Sequence, residues 1–397
     1  MMNNKSIFLA KNKEKSLLRQ HPWLFSGAIQ TKSPDINEGD LVNIYSINNT
    51  FLAKGFWQND SIAVKILSFT ENEDINEDFF IRKIVNAVAY RHSLGLFNNE
   101  NSNIFRLING EGDCLPSLIV DYYNGLLIVQ FHSVGMFHHK DIITTALLKV
   151  LGDKCKAVFN KSSSTLPQKG KIFSKDEFLY NHLPEMWTAK ENDSTYFIDY
   201  VFGQKTGFFI DQRDNRNFLT TLSKDKVVLN AFSYTGGFSL AALRGQAKEV
   251  TSIDISKRAT TICQKNIDLN FQNPKHTILT LDVLVYLDNI PKNFYDIIVL
   301  DPPAFAKHKN NLSHGLKGYR AINQKAIEKI KSGGYIFTFS CSQVVSLSDF
   351  TTMLFSAAAL AKRNVRIVKH LFASADHCQN IYHPEGEYLK GFIVYVE

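Results

Sequence analysis

A chain of 397 residues, 44% hydrophobic and 21% charged, is long enough for two or three domains with real cores and has an ordinary soluble globular composition. Its five cysteines (Cys114, Cys155, Cys263, Cys341 and Cys378) are scattered, odd in number and free of any Cys-x-x-Cys pair, which argues against a disulfide framework or a zinc knuckle. The net charge of +7 is clustered: Lys5, Lys11, Lys13, Lys15, Arg19 and Lys32 face only Glu14 over residues 1–34, and Lys307, Lys309, Lys317, Arg320, Lys325, Lys329 and Lys331 face only Glu328 over 304–331. Two such clusters suit a polyanionic partner as well as a solvated surface.

The apolar patch Ile7 to Ala10 is too short for a signal peptide, and no run reaches the length of a membrane span. A cytoplasmic location without a membrane partner is the expectation. LVNIYSI (41–47), FLAKGFW (51–57) and SIAVKIL (61–67), punctuated by Asn48-Asn49 and Asn59-Asp60, predict a small β-rich module over 1–75. Glu71 to Asp78 reads as a linker. DFFIRKIVNAVAYRHSLG (78–95) has helical spacing, and SLIVDYY (117–123) and LLIVQFH (126–132) flank Asn124-Gly125, a hairpin signal. A helix near 138–151 and a strand AVFN (157–160) complete an α+β middle domain over 76–187.

From residue 188 the pattern changes. KVVLNAF (226–232), VTSID (250–254), HTILTLD (276–282), YDIIVLD (295–301), YIFTFS (335–340) and GFIVYV (391–396) alternate with helix-like segments. Near-continuous apolar strands separated by helices predict a doubly wound, mostly parallel α/β sheet. Ligands of such sheets bind beyond the carboxyl ends of the strands.

The first of these ends carries Phe232-Ser233-Tyr234-Thr235-Gly236-Gly237, a Gly-rich turn that lets backbone approach a ligand. The second ends in Asp254, suited to ribose hydroxyls, and the third in Asp282, suited to an adenine amino group. The three together describe an adenosine site, although each acid alone is as readily a helix cap. The fourth ends in Asp301-Pro302-Pro303-Ala304-Phe305, a rigid loop that aims a carboxylate at the cleft. The fifth ends in Ser340-Cys341-Ser342. A thiol and an acid on neighbouring strand ends match the needs of attack on a pyrimidine, although a strand-end cysteine taken singly is more often core.

These segments resemble the RlmI family of class I S-adenosylmethionine-dependent methyltransferases, which form 5-methylcytosine in large-subunit ribosomal RNA. The resemblance runs through KEKSLLRQHPWLFSGAI (13–29), FRLINGEGDCLPSLIVDYY (105–123), KTGFFIDQRDNR (205–216), NAFSYTGGFS (230–239), DPPAF (301–305), KGYRAIN (317–323), GGYIFTFSCS (333–342) and YLKGF (388–392). It implies a PUA-like RNA-binding domain, a middle domain and a Rossmann-like domain with a seven-stranded sheet over 188–397. It implies S-adenosylmethionine as cofactor, S-adenosylhomocysteine as product, ribosomal RNA as partner, a homodimer, and no metal. Cofactor contacts carry over to Phe209, Gln212, Arg213, Phe232, Ser233, Tyr234, Gly236, Asp254, Asp282 and Asp301, and the nucleophile to Cys341, with Asp301 beside it. Lys11, Lys15, Arg19, Lys307, Lys309, Lys317 and Arg320 are the candidates for phosphate contact, and Tyr319 for stacking on an unpaired base.

One departure matters. Many cytosine-5 enzymes carry a second cysteine after the proline of the fourth strand's motif, and this chain reads Asp-Pro-Pro-Ala-Phe there. The alternatives are methylation of an exocyclic nitrogen of guanine or adenine and a non-catalytic RNA-binding protein with a degenerate Rossmann domain. A nicotinamide dehydrogenase fits worst, because it uses neither the Pro-Pro loop nor the thiol. His308, Lys307 and Asp301 are open candidates for the base that removes the carbon 5 proton.

Overall fold

Three sheets and a hairpin organise the chain, which a computed structural model describes over residues 5–167 and 175–397. It divides into two units: Met1–Ala189 with Ile198–Phe208 and Ala375–Gly386, and Lys190–Phe197 with Phe209–Ser374 and Glu387–Glu397.

The first unit opens with a six-stranded sheet made of β1 (Ser6–Leu9), β2 (Trp23–Phe25), β3 (Ile29–Lys32), β4 (Leu41–Tyr45), β5 (Phe51–Trp57) and β6 (Ile62–Ser68). Its order is β2-β6-β5-β4-β1-β3, with β1 parallel to β4 and the other pairs antiparallel. Only β4 to β6 were legible in the sequence, because β1 to β3 are three or four residues each. Helix α1 (Lys15–Leu18) lies between β1 and β2.

Helix α2 (Glu77–Ser93) begins where the linker was expected to end. Asn76 caps it by accepting from the Phe79 N–H at 3.1 Å, and Glu77 and Asp78 form an acidic first turn that complements the helix dipole. The preceding residues are pinned rather than loose: Lys54 Nζ donates to the Glu71 and Glu73 carbonyls at 2.5 and 2.7 Å.

A five-stranded sheet follows: β7 (Ile104–Asn109), β8 (Leu118–Tyr123), β9 (Leu126–Phe131), β10 (Ala157–Asn160) and β11 (Glu177–Tyr180), in the order β11-β10-β9-β8-β7. Asn124 and Gly125 turn β8 into β9 with φ of 51° and 95°, as a two-residue hairpin requires. The helix expected near 138–151 is two, α3 (Val134–His138) and α4 (Lys140–Leu151), broken at His139. The two sheets share a core, since Phe56 and Leu67 join Phe79, Phe80 and Met136 in one buried cluster. Strands β12 (Trp187–Glu191) and β13 (Ser194–Ile198) form the hairpin.

The second unit holds a seven-stranded sheet of β14 (Val227–Ala231), β15 (Glu249–Asp254), β16 (His276–Thr280), β17 (Ile297–Leu300), β18 (Gly334–Ser340), β19 (Val365–Phe372) and β20 (Lys390–Val396). The order is β16-β15-β14-β17-β18-β20-β19, parallel except for the antiparallel β20. Helices α5 (Arg213–Leu222), α6 (Gly237–Arg244), α7 (Lys257–Asn270), α8 (Val283–Asn289), α9 (Leu312–Lys329) and α10 (Leu347–Ala361) connect and cover it. Strand order reverses between β14 and β17, which opens a crevice at their carboxyl ends. The residue pattern revealed six of these strands and missed β19. This edge strand pairs only with β20, exposes most of its length, and carries Arg366, Lys369 and His370 in place of an apolar run.

Candidate active site

The crevice begins at the turn after β14. Phe232, Tyr234 and Gly236 hold φ of 60°, 45° and 87°. Left-handed geometry costs about 1–2 kcal/mol at a residue with a Cβ, so two such residues in five mark a site where the fold imposes the backbone path. Gly236 is obligatory for a second reason: a Cβ there would lie 2.5 Å from the buried Cys263 sulfur. Two backbone N–H groups converge on one carboxylate. Tyr234 donates to Asp254 Oδ2 at 2.8 Å and Ser256 to Asp254 Oδ1 at 2.9 Å. The buried Ser233 Oγ and Thr235 Oγ1 have no hydrogen-bond partner among the described residues, an expensive arrangement. Ile255, beside Asp254, is 72% exposed and offers an apolar surface there.

Asp282 stands differently from the expectation. Strand β16 ends at Thr280, and Asp282 caps α8, its Oδ1 accepting from Leu284 and Val285 at 2.8 and 3.1 Å. A helix cap occupies only one of its oxygens.

Phe209, Gln212 and Arg213 lie just before and at the start of α5. Phe209 makes an edge contact with Tyr234, their ring centres 5.1 Å apart, so it meets the turn directly. Gln212 and Arg213 are buried, and Gln212 Oε1 accepts from Asn215 at 2.6 Å. Arg216 anchors this segment. It donates to both Glu191 oxygens at 2.6 and 2.7 Å and to the Phe209 carbonyl at 2.9 Å. Burial opposes its charge, but Glu191 more than offsets that and raises its pKa. Neither the residue pattern nor the family resemblance singled out Arg216, although it lies in the KTGFFIDQRDNR segment.

On the far side of the crevice, β17 and β18 pair from Ile297↔Tyr335 to Leu300↔Thr338, so Asp301 and Cys341 follow adjacent strand ends. The Cys341 sulfur lies 3.9 Å from the Pro302 carbonyl, the Asp301-Pro302-Pro303 loop reaching it directly. Cys341 and Cys378 are half-buried and Cys155 and Cys263 buried, and desolvation pushes the Cys155, Cys263 and Cys378 thiols up to about 12. Those three are poor nucleophiles at neutral pH, and Cys114 sits on an exposed turn of the first unit.

Cys341 lies between two buried serines that are both engaged. Ser340 Oγ accepts from the Ser342 N–H at 3.3 Å, and Ser342 Oγ bonds Tyr319 OH at 2.9 Å and accepts from Ala306 N–H at 3.4 Å. Tyr319 OH also accepts from Phe305 N–H at 3.5 Å. The expectation that Tyr319 stacks on a base therefore fails. Its ring is fully buried, and it ties the Pro-Pro loop to the cysteine turn. Phe305, half-buried 4.7 Å from the Tyr319 ring centre, is the aromatic left open. Gly315 of α9 lets the loop lie close, since a Cβ there would be 2.6 Å from that of Ala306.

The basic candidates separate into two kinds. Lys307, Lys309 and Lys317 are exposed, Arg320 is half-buried, and none has an ion-pair partner among the described residues. Lys325, Lys329 and Lys331 are tied to the fold through Asp288, the Ile290 carbonyl and Asp296. In the first unit Lys11, Lys15 and Arg19 are exposed before, at the start of and just after α1. Among the described residues no cluster of three metal-ligating side chains occurs, and no helix is long and apolar enough to cross a membrane.

Residues 105–372 match the family model for S-adenosylmethionine-dependent methyltransferases, and residues 7–69 match that for a PUA-like domain. Ribosomal RNA large subunit methyltransferase I of Aliivibrio fischeri strain MJ11 is 37% identical over 394 residues, covering 98% of each chain. The Aeromonas hydrophila protein of that name is 37% identical over 395 residues with the same coverage. Among solved structures, SMU.776 in complex with S-adenosylhomocysteine superposes with a TM-score of 0.84 at 24% identity, over 98% of this chain and 99% of that one. At that identity the likeness speaks to the fold.

Proposed function

The chain belongs to the S-adenosylmethionine-dependent methyltransferases, in the family of ribosomal RNA large subunit methyltransferase I, and from that premise we propose that it methylates carbon 5 of a cytosine in large-subunit ribosomal RNA through a covalent Cys341 adduct. The single observation that carries the cytosine reading is the half-buried Cys341 beside Asp301 on adjacent strand ends.

The residues around the β14 turn fit S-adenosylmethionine. The open Ile255 and the Asp254 carboxylate offer the apolar and polar groups that an adenosine needs. Phe209, Gln212, Arg213, Phe232, Tyr234 and Gly236 would shape the rest of that site, and Asp282 would use the oxygen that does not cap α8. Bound there, the cofactor supplies an electrophilic methyl group.

The chain's own work is on the pyrimidine. Carbon 5 of cytosine is a poor nucleophile. When the Cys341 thiolate adds to carbon 6, the ring double bond's electrons become available at carbon 5, which can then form the bond to methyl. In this reading Asp301 hydrogen-bonds the ring nitrogen or amino group and steadies the adduct. Loss of the carbon 5 proton to a base returns the electrons to the ring and expels the thiolate. The target base must leave its stack to reach a strand-end thiol. In this reading residues 1–75 form an RNA-binding module, 76–187 a middle domain and 188–397 the catalytic domain. Lys11, Lys15, Arg19, Lys307, Lys309, Lys317 and Arg320 neutralise phosphates.

The test is methylation of ribosomal RNA from a strain lacking this protein, followed by mass spectrometry of the digested nucleosides. The reading expects 5-methylcytidine with the wild type and none with Cys341→Ala, which keeps its affinity for S-adenosylhomocysteine. A methylated exocyclic nitrogen, or full activity of Cys341→Ala, sinks it.

A further inference from the structure

Lys390 begins β20, paired opposite Ser340 at the end of β18. It is 3% exposed, and its ammonium donates to the Ser342 carbonyl at 2.9 Å and to the Val345 carbonyl at 2.6 Å. Both carbonyls belong to the turn that follows Cys341. No carboxylate lies within ion-pair distance of this ammonium among the described residues, which sets it apart from Lys331 with Asp296. A buried ammonium without a carboxylate is costly, so a fold that keeps one needs it for something other than stability. An apolar side chain of the same length would pack in its place at lower cost, but would leave two carbonyls and the turn unheld.

We propose that Lys390 is a positioning residue for Cys341, holding the 342–345 turn by its carbonyls and placing a buried positive charge that favours the thiolate over the thiol. This rests on the reading of Cys341 as the nucleophile. The titratable groups set around the turn are Asp301 at the end of β17, Tyr319 of α9, Asp349 of α10, Glu387, and Lys390 itself. Asp301, Asp349 and Glu387 are acids that disfavour a thiolate, and Lys390 is the buried cation among these groups. The Cys341 proton passes to solvent, and Lys390 keeps all of its own. Burial draws the Lys390 pKa down, against the pull of Glu387, Cys341 and Asp349.

The first readout needs no RNA. Iodoacetamide alkylation of Cys341, followed by peptide mass spectrometry as a function of pH, reports the thiolate directly. In the wild type the midpoint is expected below the ~8.5 of a free cysteine. K390M is expected to raise it by about one unit, a roughly tenfold slower alkylation at neutral pH, and to lower kcat with little change in the KM for RNA. K390R is expected to recover part of the shift, which a purely structural role would not produce. S-adenosylhomocysteine binding by calorimetry checks that each variant folds. A wild-type midpoint at or above the free-cysteine value overturns the proposal whatever the variants do. So does a folded K390M with the wild-type profile. The identity of the methylated nucleoside tests the cytosine reading separately, so either can fail without the other.

Discussion

On the β14–β15 side of the crevice the surface is made by backbone. Positive φ at Phe232, Tyr234 and Gly236 shapes the turn, and Asp254 gathers the N–H groups of Tyr234 and Ser256. On the β17–β18 side it is made by buried side chains. Tyr319, Ser342 and Lys390 tie the Pro-Pro loop and the cysteine turn together. The first side is sensitive to any atom that changes the chain's path. The second can lose its alignment through one hydroxyl or one amine while its backbone stays in place.

The largest expected effect breaks the backbone-built side. Gly236→Val forces a branched residue to φ of 87° and a Cβ to within 2.5 Å of Cys263. It should cost about 3 kcal/mol of stability, read by urea unfolding, and abolish S-adenosylhomocysteine binding by calorimetry. A variant that binds normally would show that the turn adapts.

On the other side, removal of one oxygen should be felt in transfer and not in cofactor binding. Tyr319→Phe loses a net hydrogen bond of about 1 kcal/mol, so methyl transfer should fall roughly fivefold while S-adenosylhomocysteine affinity stays unchanged. Equal losses in both would mean that the two sides are coupled.

The exposed lysines next to this side sharpen the contrast further. Replacement of Lys307, Lys309 and Lys317 with alanine should reduce the slope of log binding against log salt by about 2, at ~0.7 per single-strand phosphate. The same triple change should leave cofactor affinity alone. An unchanged slope would assign these lysines to solvent.

The smallest effect lies beneath the backbone-built turn. Asn230 Nδ2 donates to Ser239 Oγ at 2.8 Å, Ser239 Oγ bonds Ser252 Oγ at 2.5 Å, and Ser252 Oγ meets His276 Nε2 at 2.7 Å. Burial lowers the His276 pKa from 6.5 to about 4. Between those values the unfolded chain binds a proton that the folded chain refuses, so stability falls as pH drops through that window. His276→Gln should reduce the slope of unfolding midpoint against pH there, leaving the share of His132, which burial also lowers to about 4. An unaltered slope would move the acid sensitivity elsewhere.

Legibility followed chemistry that is local in sequence. Asp301 and Cys341 could be read because each follows an apolar run, and strand order makes their neighbours predictable. Asp282 could not be fully read, because a strand-end acid and a helix cap look alike when the intervening Leu281 belongs to neither element. Tyr319 looked like a stacking residue in a basic segment, yet helical phase turns it into the core. Lys390, in the YLKGF segment, carries no local mark of its contacts with residues 45 and 48 positions earlier.

The sequence by itself determined the doubly wound domain, the Gly-rich turn with its acid, the thiol at a strand end and the family. Each of these follows from periodicity, turn chemistry or a contiguous motif. Only the tertiary structure decided how far each cysteine is buried, which lysines are exposed and which are tied down, and what holds the cysteine turn. Burial and cross-strand contacts set those properties, and both depend on residues far apart in the chain.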